Sequence, residues 1–216
     1  MKHSNTDILM TAALVLIMAV FIWSCSRSPT RIALPTTITT VAAGYPFALQ
    51  VKNQMAGDAH LTTVIVEFDR QVGQFQVQQI YYGFASPKVN GRVFAVTVDN
   101  INHEAFAAMD APTSPDIAPH MLSSRSTPLD LSKVANDISQ ILKVAKTNGL
   151  DEFCSLTSPE QGNVDVSLFN SETGPVWSII GDGWDEKGPI ADLAITVDER
   201  TGVVLSHTLQ KAASRQ

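Results

Sequence analysis

Charge is scarce in this 216-residue chain: only 17% of its residues are Asp, Glu, Lys or Arg, and no Lys/Arg cluster occurs. The formal net charge is −6 at pH 7. Together these argue against a nucleic-acid partner and against a polybasic membrane patch. Cysteine is nearly absent, with Cys25 and Cys154 alone. If Cys25 is acylated, Cys154 has no partner, and no structural disulfide is expected. The histidines His3, His60, His103, His120 and His207 are scattered, with no H-x-x-x-H or Cys/His ligand spacing. The G-x-S-x-G, Walker and Rossmann patterns are missing. Neither a catalytic residue nor a metal or cofactor site is expected. Cys154 reads as a small buried hydrophobe, and His103-Glu104 as solvated residues at the end of a strand.

Against this stands one long apolar run. Residues Ile8 to Ser26 carry no charged side chain. As a helix they rise roughly 28 Å, close to the hydrocarbon thickness of a bilayer. Lys2 and the terminal amine, partly offset by Asp7, make a short, weakly positive start of the export-signal kind. A core helix of this length normally shows a polar face, and this one shows none. The stretch Ile22-Trp23-Ser24-Cys25 resembles the lipobox of bacterial lipoproteins. That resemblance implies cleavage before Cys25 and lipidation of its thiol. An uncleaved signal anchor is the rival, with Trp23 at the headgroup level. Arg27 and Arg31 follow the run, so the flanking charges do not fix the orientation of an uncleaved helix. Either way the expected address is exported and membrane-anchored, the body lying in the periplasm or outside the cell.

The rest divides by composition. Residues 1–25 are the signal or anchor, and 26–44 are a tether that includes a candidate strand at Thr36–Val41. Residues 45–109 read as strands. Residues 110–129 hold four prolines with Ser and Thr, so they form neither helix nor central strand. Residues 130–210 form the last unit. The expected class is α+β: a small antiparallel β-sandwich, then one amphipathic helix on an antiparallel sheet.

In the first half, Phe47, Leu49 and Val51 alternate with smaller or polar residues, the period of a half-buried strand. Leu61–Phe68, Phe75–Tyr82 and Arg92–Val98 follow as strands, with Gln71-Val72-Gly73 interrupting and Asn90-Gly91 as a tight turn. Ala43-Gly44-Tyr45-Pro46-Phe47 leading into Leu49-x-Val51-x-Asn53 is similar to the early strands of bacterial immunoglobulin-like domains. A minor reading is duplication, since Ala95-Val96-Thr97-Val98-Asp99 echoes Ala194-Ile195-Thr196-Val197-Asp198.

In the second half Asp130 is a good N-cap. Leu131, Val134, Ala135, Ile138, Ile141, Leu142 and Ala145 form one apolar stripe, and Gly149 stands where a helix stops. Strands are expected at Val164–Phe169, Pro175–Ile180, Ala191–Val197 and Val203–Leu209. Gly174-Pro175-Val176-Trp177 and Ile195 to Leu205, through Asp198-Glu199-Arg200-Thr201-Gly202, resemble the PepSY-like family of small exported bacterial domains. The resemblance covers about residues 128–210 and implies regulation, inhibition or accessory binding at the envelope, not catalysis.

One surface feature invites a role. Gly181 to Pro189 reads as a glycine-rich loop with Trp184 between the carboxylates of Asp182, Asp185 and Glu186. An exposed Trp there suits a protein partner, making Trp184, Asp182 and Asp185 the candidate partner-binding residues. The EF-hand spacing for Ca²⁺ is missing. The expected function is a non-enzymatic envelope accessory protein that recognises another protein through loops and strand edges. The alternatives are a metal-dependent or hydrolytic enzyme using the Asp182–Glu186 loop, and a structural spacer.

Overall fold

The computed structural model describes residues 30–71, 74–86, 92–108 and 127–212. The apolar run 8–26 with Cys25, the Val72-Gly73 interruption, the Asn90-Gly91 turn and most of the proline-rich stretch lie outside them. From Arg31 onward the chain packs as one compact unit. Its elements are β1 (Arg31–Ala33), α1 (Val41–Met55), β2 (His60–Gln71), β3 (Gln74–Ser86), β4 (Arg92–Asp99), β5 (Glu104–Ala108), α2 (Ile138–Ala145), α3 (Asp151–Leu156), β6 (Gly162–Ser171), β7 (Gly174–Asp185), β8 (Gly188–Asp198) and β9 (Val204–Lys211).

The strands form a single nine-stranded sheet in the order β1-β5-β4-β3-β2-β6-β7-β8-β9. Every pairing is antiparallel. This overturns the α+β reading with a separate immunoglobulin-like sandwich. The halves meet strand to strand, β2 against β6, with Ile65 opposite Ser167.

The sandwich fails first at Phe47–Lys52, which lies inside helix α1 and not on a strand. Thr40 caps that helix, its hydroxyl accepting from the Ala43 amide at 3.1 Å. Val41, Gly44, Ala48 and Val51 fall at helical spacing and are the buried face. Phe47, Leu49 and Val51 alternate, but small Gly44 and Ala48 complete the contact between Val41 and Val51. A Cβ on Gly44 would come within 2.4 Å of the Tyr82 hydroxyl, which donates to the Val41 carbonyl at 2.6 Å. The helix can approach the sheet this closely only because Gly44 has no side chain.

The candidate strand Thr36–Val41 is not one either. It runs up to the α1 cap, and a side chain replaces the ladder there: Asn100 accepts from the Ile38 amide and donates to the Ile38 and Val77 carbonyls. Asn100 is buried. Asn100→Ala strands these groups and is expected to cost about 2–3 kcal/mol, read from urea unfolding.

In the second half Asp130 caps only a short 3₁₀ turn, Leu131–Lys133. Helix α2 starts seven residues later than that cap suggested, at an Asp137–Gln140 capping box. The buried carboxylate of Glu199 accepts from the Ala135 and Asn136 amides and holds the approach to α2. Gly149, at φ +109°, does not end the helix. It bends a wide turn, Lys146–Leu150, and the chain resumes as α3. The one expected helix is therefore kinked, and α1 is a second helix the sequence pattern concealed.

Both helical segments share one apolar cluster with the sheet. Val41, Ala48 and Val51 join Ile138, Ile141 and Phe153, against Tyr82, Val96, Trp177, Ile179, Leu193 and Ile195. The two similar pentapeptides take equivalent places. Each half is a helix followed by a four-stranded meander, and the echo falls on the third strand of each, β4 and β8. Each ends in an Asp whose Oδ1 accepts from the following turn: Asp99 from the Ile101 amide and Asp198 from the Thr201 amide, both at 2.7 Å.

Ile65, Ala95 and Tyr81 cluster apart from that core. Beside them on β2, Glu67 stands opposite Asp165 and accepts from the Tyr81 hydroxyl at 2.9 Å. Burial raises the Glu67 pKa above its ordinary 4.5, with the Tyr81 hydrogen bond opposing. A raised carboxylate holds its proton more tightly folded than unfolded, so its charged form weighs against the fold at pH 7. Glu67→Gln is expected to raise stability at pH 7, by under about 1 kcal/mol after solvent screening. The gain shrinks as pH falls through the raised pKa and vanishes below the unfolded value. Thermal melts across pH measure it.

Candidate recognition site at one end of the sheet

Gly181 and Gly183 looked like loop glycines, but both lie within β7. They are small because the end of α3 presses on them. A Cβ on Gly181 would sit 3.0 Å from the Phe153 ring, and one on Gly183 would sit 2.4 Å from the Thr157 methyl. The expected glycine-rich loop is thus mostly strand, and only the tip of the β7–β8 hairpin turns. There the Lys187 amide donates to Asp185 Oδ1 at 2.7 Å, and Gly188 adopts φ +115°.

Trp184 occupies the last stretch of β7, where the β7–β8 ladder shifts register. Its amide donates to the Gln161 carbonyl at 2.7 Å, which ties the hairpin to the segment ahead of β6. The side chain is 47% exposed. Together with Glu160, Gln161, Asp185, Glu186 and Lys187 it lines an open cavity of about 610 Å³. Asp182 does not line it. It is half-buried further down β7, opposite Asn163 on β6 and Asp192 on β8. The structure therefore gathers Trp184 and Asp185 and sets Asp182 apart. Among the described residues no group of three or more His, Cys, Asp and Glu side chains is placed to hold a metal ion.

A second cavity, of about 360 Å³, opens at the seam between the halves. Arg70, Gln71 and Phe75 from the β2–β3 hairpin form one wall, and Lys146, Asp151 and Cys154 to Pro159 form the other. Arg70 is only 8% exposed. Its guanidinium donates to the Thr157 carbonyl at 2.6 Å, the Thr157 hydroxyl at 2.9 Å and the Ser158 carbonyl. These follow the C-terminus of α3, where a cation complements the helix dipole. Arg70 also lies 5.7 Å over the Phe153 ring, and Lys146 5.9 Å over the Phe75 ring. Burial pushes the Cys154 thiol up, with the Arg70 and Lys146 charges pulling the other way and Asp151 adding to the rise. A raised thiol reacts more slowly at neutral pH than an unperturbed one. Sequence patterning missed this cavity because Arg70 sits 76 residues from Lys146 in the chain, with no local motif joining them.

No family model matches the chain, so the PepSY-like resemblance has no support beyond its short motifs. No curated protein matches either. A similar solved structure is a Clostridium difficile 630 protein provisionally described as a lipoprotein. It is 16% identical, with 77% of this chain and 92% of that one covered at a TM-score of 0.43. No helix among the described residues is long and apolar enough to cross a membrane, and residues 8–26 lie outside them.

Proposed function

We propose that the chain is a non-enzymatic accessory protein of the cell envelope, tethered to a membrane by its N-terminal segment. It recognises another protein through the end of the sheet that carries Trp184. The observation that supports this reading is the exposed Trp184 on a strand end fixed to Gln161, a large aromatic presented without the entropy of a loose loop. Asp185, Glu186 and Lys187 supply a polar rim around it. The address rests on the uncharged run 8–26 and the lipobox-like Ile22 to Cys25.

Two experiments test this. Cross-linking in intact cells of the native host, with recovery through a C-terminal tag, is expected to capture one specific envelope protein. Trp184→Ala is expected to lose it while stability stays within about 0.5 kcal/mol of the parent. Recovery of the protein alone, at native abundance and with efficient cross-linking, contradicts the reading. For the tether, growth with an alkyne fatty acid is expected to label the parent and not Cys25→Ser. Absence of label with retention in the membrane fraction identifies an uncleaved anchor instead.

A further inference from the structure

We infer that the seam cavity bounded by Arg70 and Lys146 is a binding site for a carboxylate carried on a compact apolar body. The inference stands apart from the Trp184 reading and rests on different residues.

Charge is the first observation. Arg70 is buried, yet it donates to two carbonyls and a hydroxyl and hydrogen-bonds the Cys154 thiol, whose pKa burial raises, so none of these partners is a carboxylate. Lys146, on the facing wall, rests against an aromatic ring. Ion pairs join Arg31 to Glu104, Lys133 to Asp130 and Lys211 to Glu152, and among the described residues neither Arg70 nor Lys146 takes part in one. Two cations therefore face one cavity with a single lining carboxylate, Asp151, in a chain of net charge −6. A buried guanidinium without a counter-charge is costly, and a ligand anion offsets that cost. The α3 dipole fixes Arg70 in place without neutralising it.

Shape and lining are the second. At about 360 Å³ the cavity falls in the range of small-ligand sites. Besides the polar groups it is walled by Phe75, Cys154, Leu156 and Pro159. An anion alone would leave these surfaces wet, whereas an acyl or branched apolar body covers them. A free acyl carboxylate and the C-terminus of a peptide ending in an apolar residue share this chemistry.

Cys154 provides the readout, because its half-buried thiol lies in the cavity wall. The full chain, held in lipid nanodiscs, is labelled with a maleimide, and modification of Cys154 is followed by peptide mass spectrometry. The probes are octanoate and N-acetyl-Ala-Leu, with octanamide and the peptide amide as neutral counterparts. At ten times its dissociation constant a bound carboxylate is expected to slow labelling about tenfold. The amides are expected to leave the rate unchanged. Protection by octanoate alone assigns an acyl ligand, and protection by the dipeptide alone assigns a chain terminus. Arg70 supports the fold, so Lys146→Glu is the informative variant: it is expected to keep the melting temperature and lose the protection. Equal protection by acids and amides, protection that survives Lys146→Glu, or none by either acid at millimolar concentration overturns the inference.

Discussion

Trp177→Ala is expected to lower the unfolding free energy by about 3–5 kcal/mol, the range for deleting a large buried aromatic. Trp177 is fully buried on β7 within the cluster that both helical segments share. Its loss opens a cavity within that cluster, and the close contacts of Gly181 with Phe153 and of Gly183 with Thr157 further along β7 leave little room for collapse. The indole Nε1 has no hydrogen-bond acceptor. Trp177→Phe therefore gives up volume without giving up a hydrogen bond, and is expected to cost much less, about 1–2 kcal/mol. Urea unfolding of the two variants measures both. A similar loss for each would mean that the indole nitrogen makes a bond that this packing does not provide.

Arg70→Met is the second large effect expected, about 2–4 kcal/mol. The side chain volume is nearly kept, but the Thr157 and Ser158 carbonyls lose their donor and α3 loses the cation at its C-terminal end. Because Arg70 belongs to β2 and its acceptors follow α3, the loss falls on the contact between the halves. Hydrogen exchange of α3 amides is expected to speed up more than that of α1 amides. A neutral effect would show that the guanidinium contributes no more than its stem.

How much of this was legible in the sequence depends on where the burying residues were large. In the second half β6 and β8 follow the alternation of Val164, Val166 and Leu168 and of Leu193, Ile195 and Val197, and these side chains are buried. Trp177, on the expected strand Pro175–Ile180, is fully buried. In α1 the buried face pairs Val41 and Val51 with Gly44 and Ala48, too small to register, while Phe47, Leu49 and Val51 mimic a strand. Closeness to Tyr82, not hydrophobicity, selects glycine at position 44, and closeness is a tertiary property. The same holds at Gly181 and Gly183, where helix contact looked like loop composition. Gly149 has the left-handed φ that ends many helices, but nothing local says that Asp151 and Glu152 start another turn straight after it. The candidate site divides in the same way. The exposure of Trp184 matches its polar, turn-flanked neighbourhood, whereas the seam cavity depends on a join between β2 and β6 that no pattern within either strand encodes.

That join carries the account. Read from the sequence, a proline-rich stretch separates two units. In the structure β2 and β6 pair over Thr63–Glu67 and Asp165–Phe169, and one core runs beneath both. Native-state hydrogen exchange on these ten amides measures the difference. If the sheet is one cooperative unit, the hydrogen-bonded amides of β2 and β6 exchange with the same free energy as those of β7 and β8, close to that of global unfolding. If instead the seam amides exchange several kcal/mol more readily, and the halves melt in two separate steps, the single sheet is contradicted and the protein is two domains on a linker.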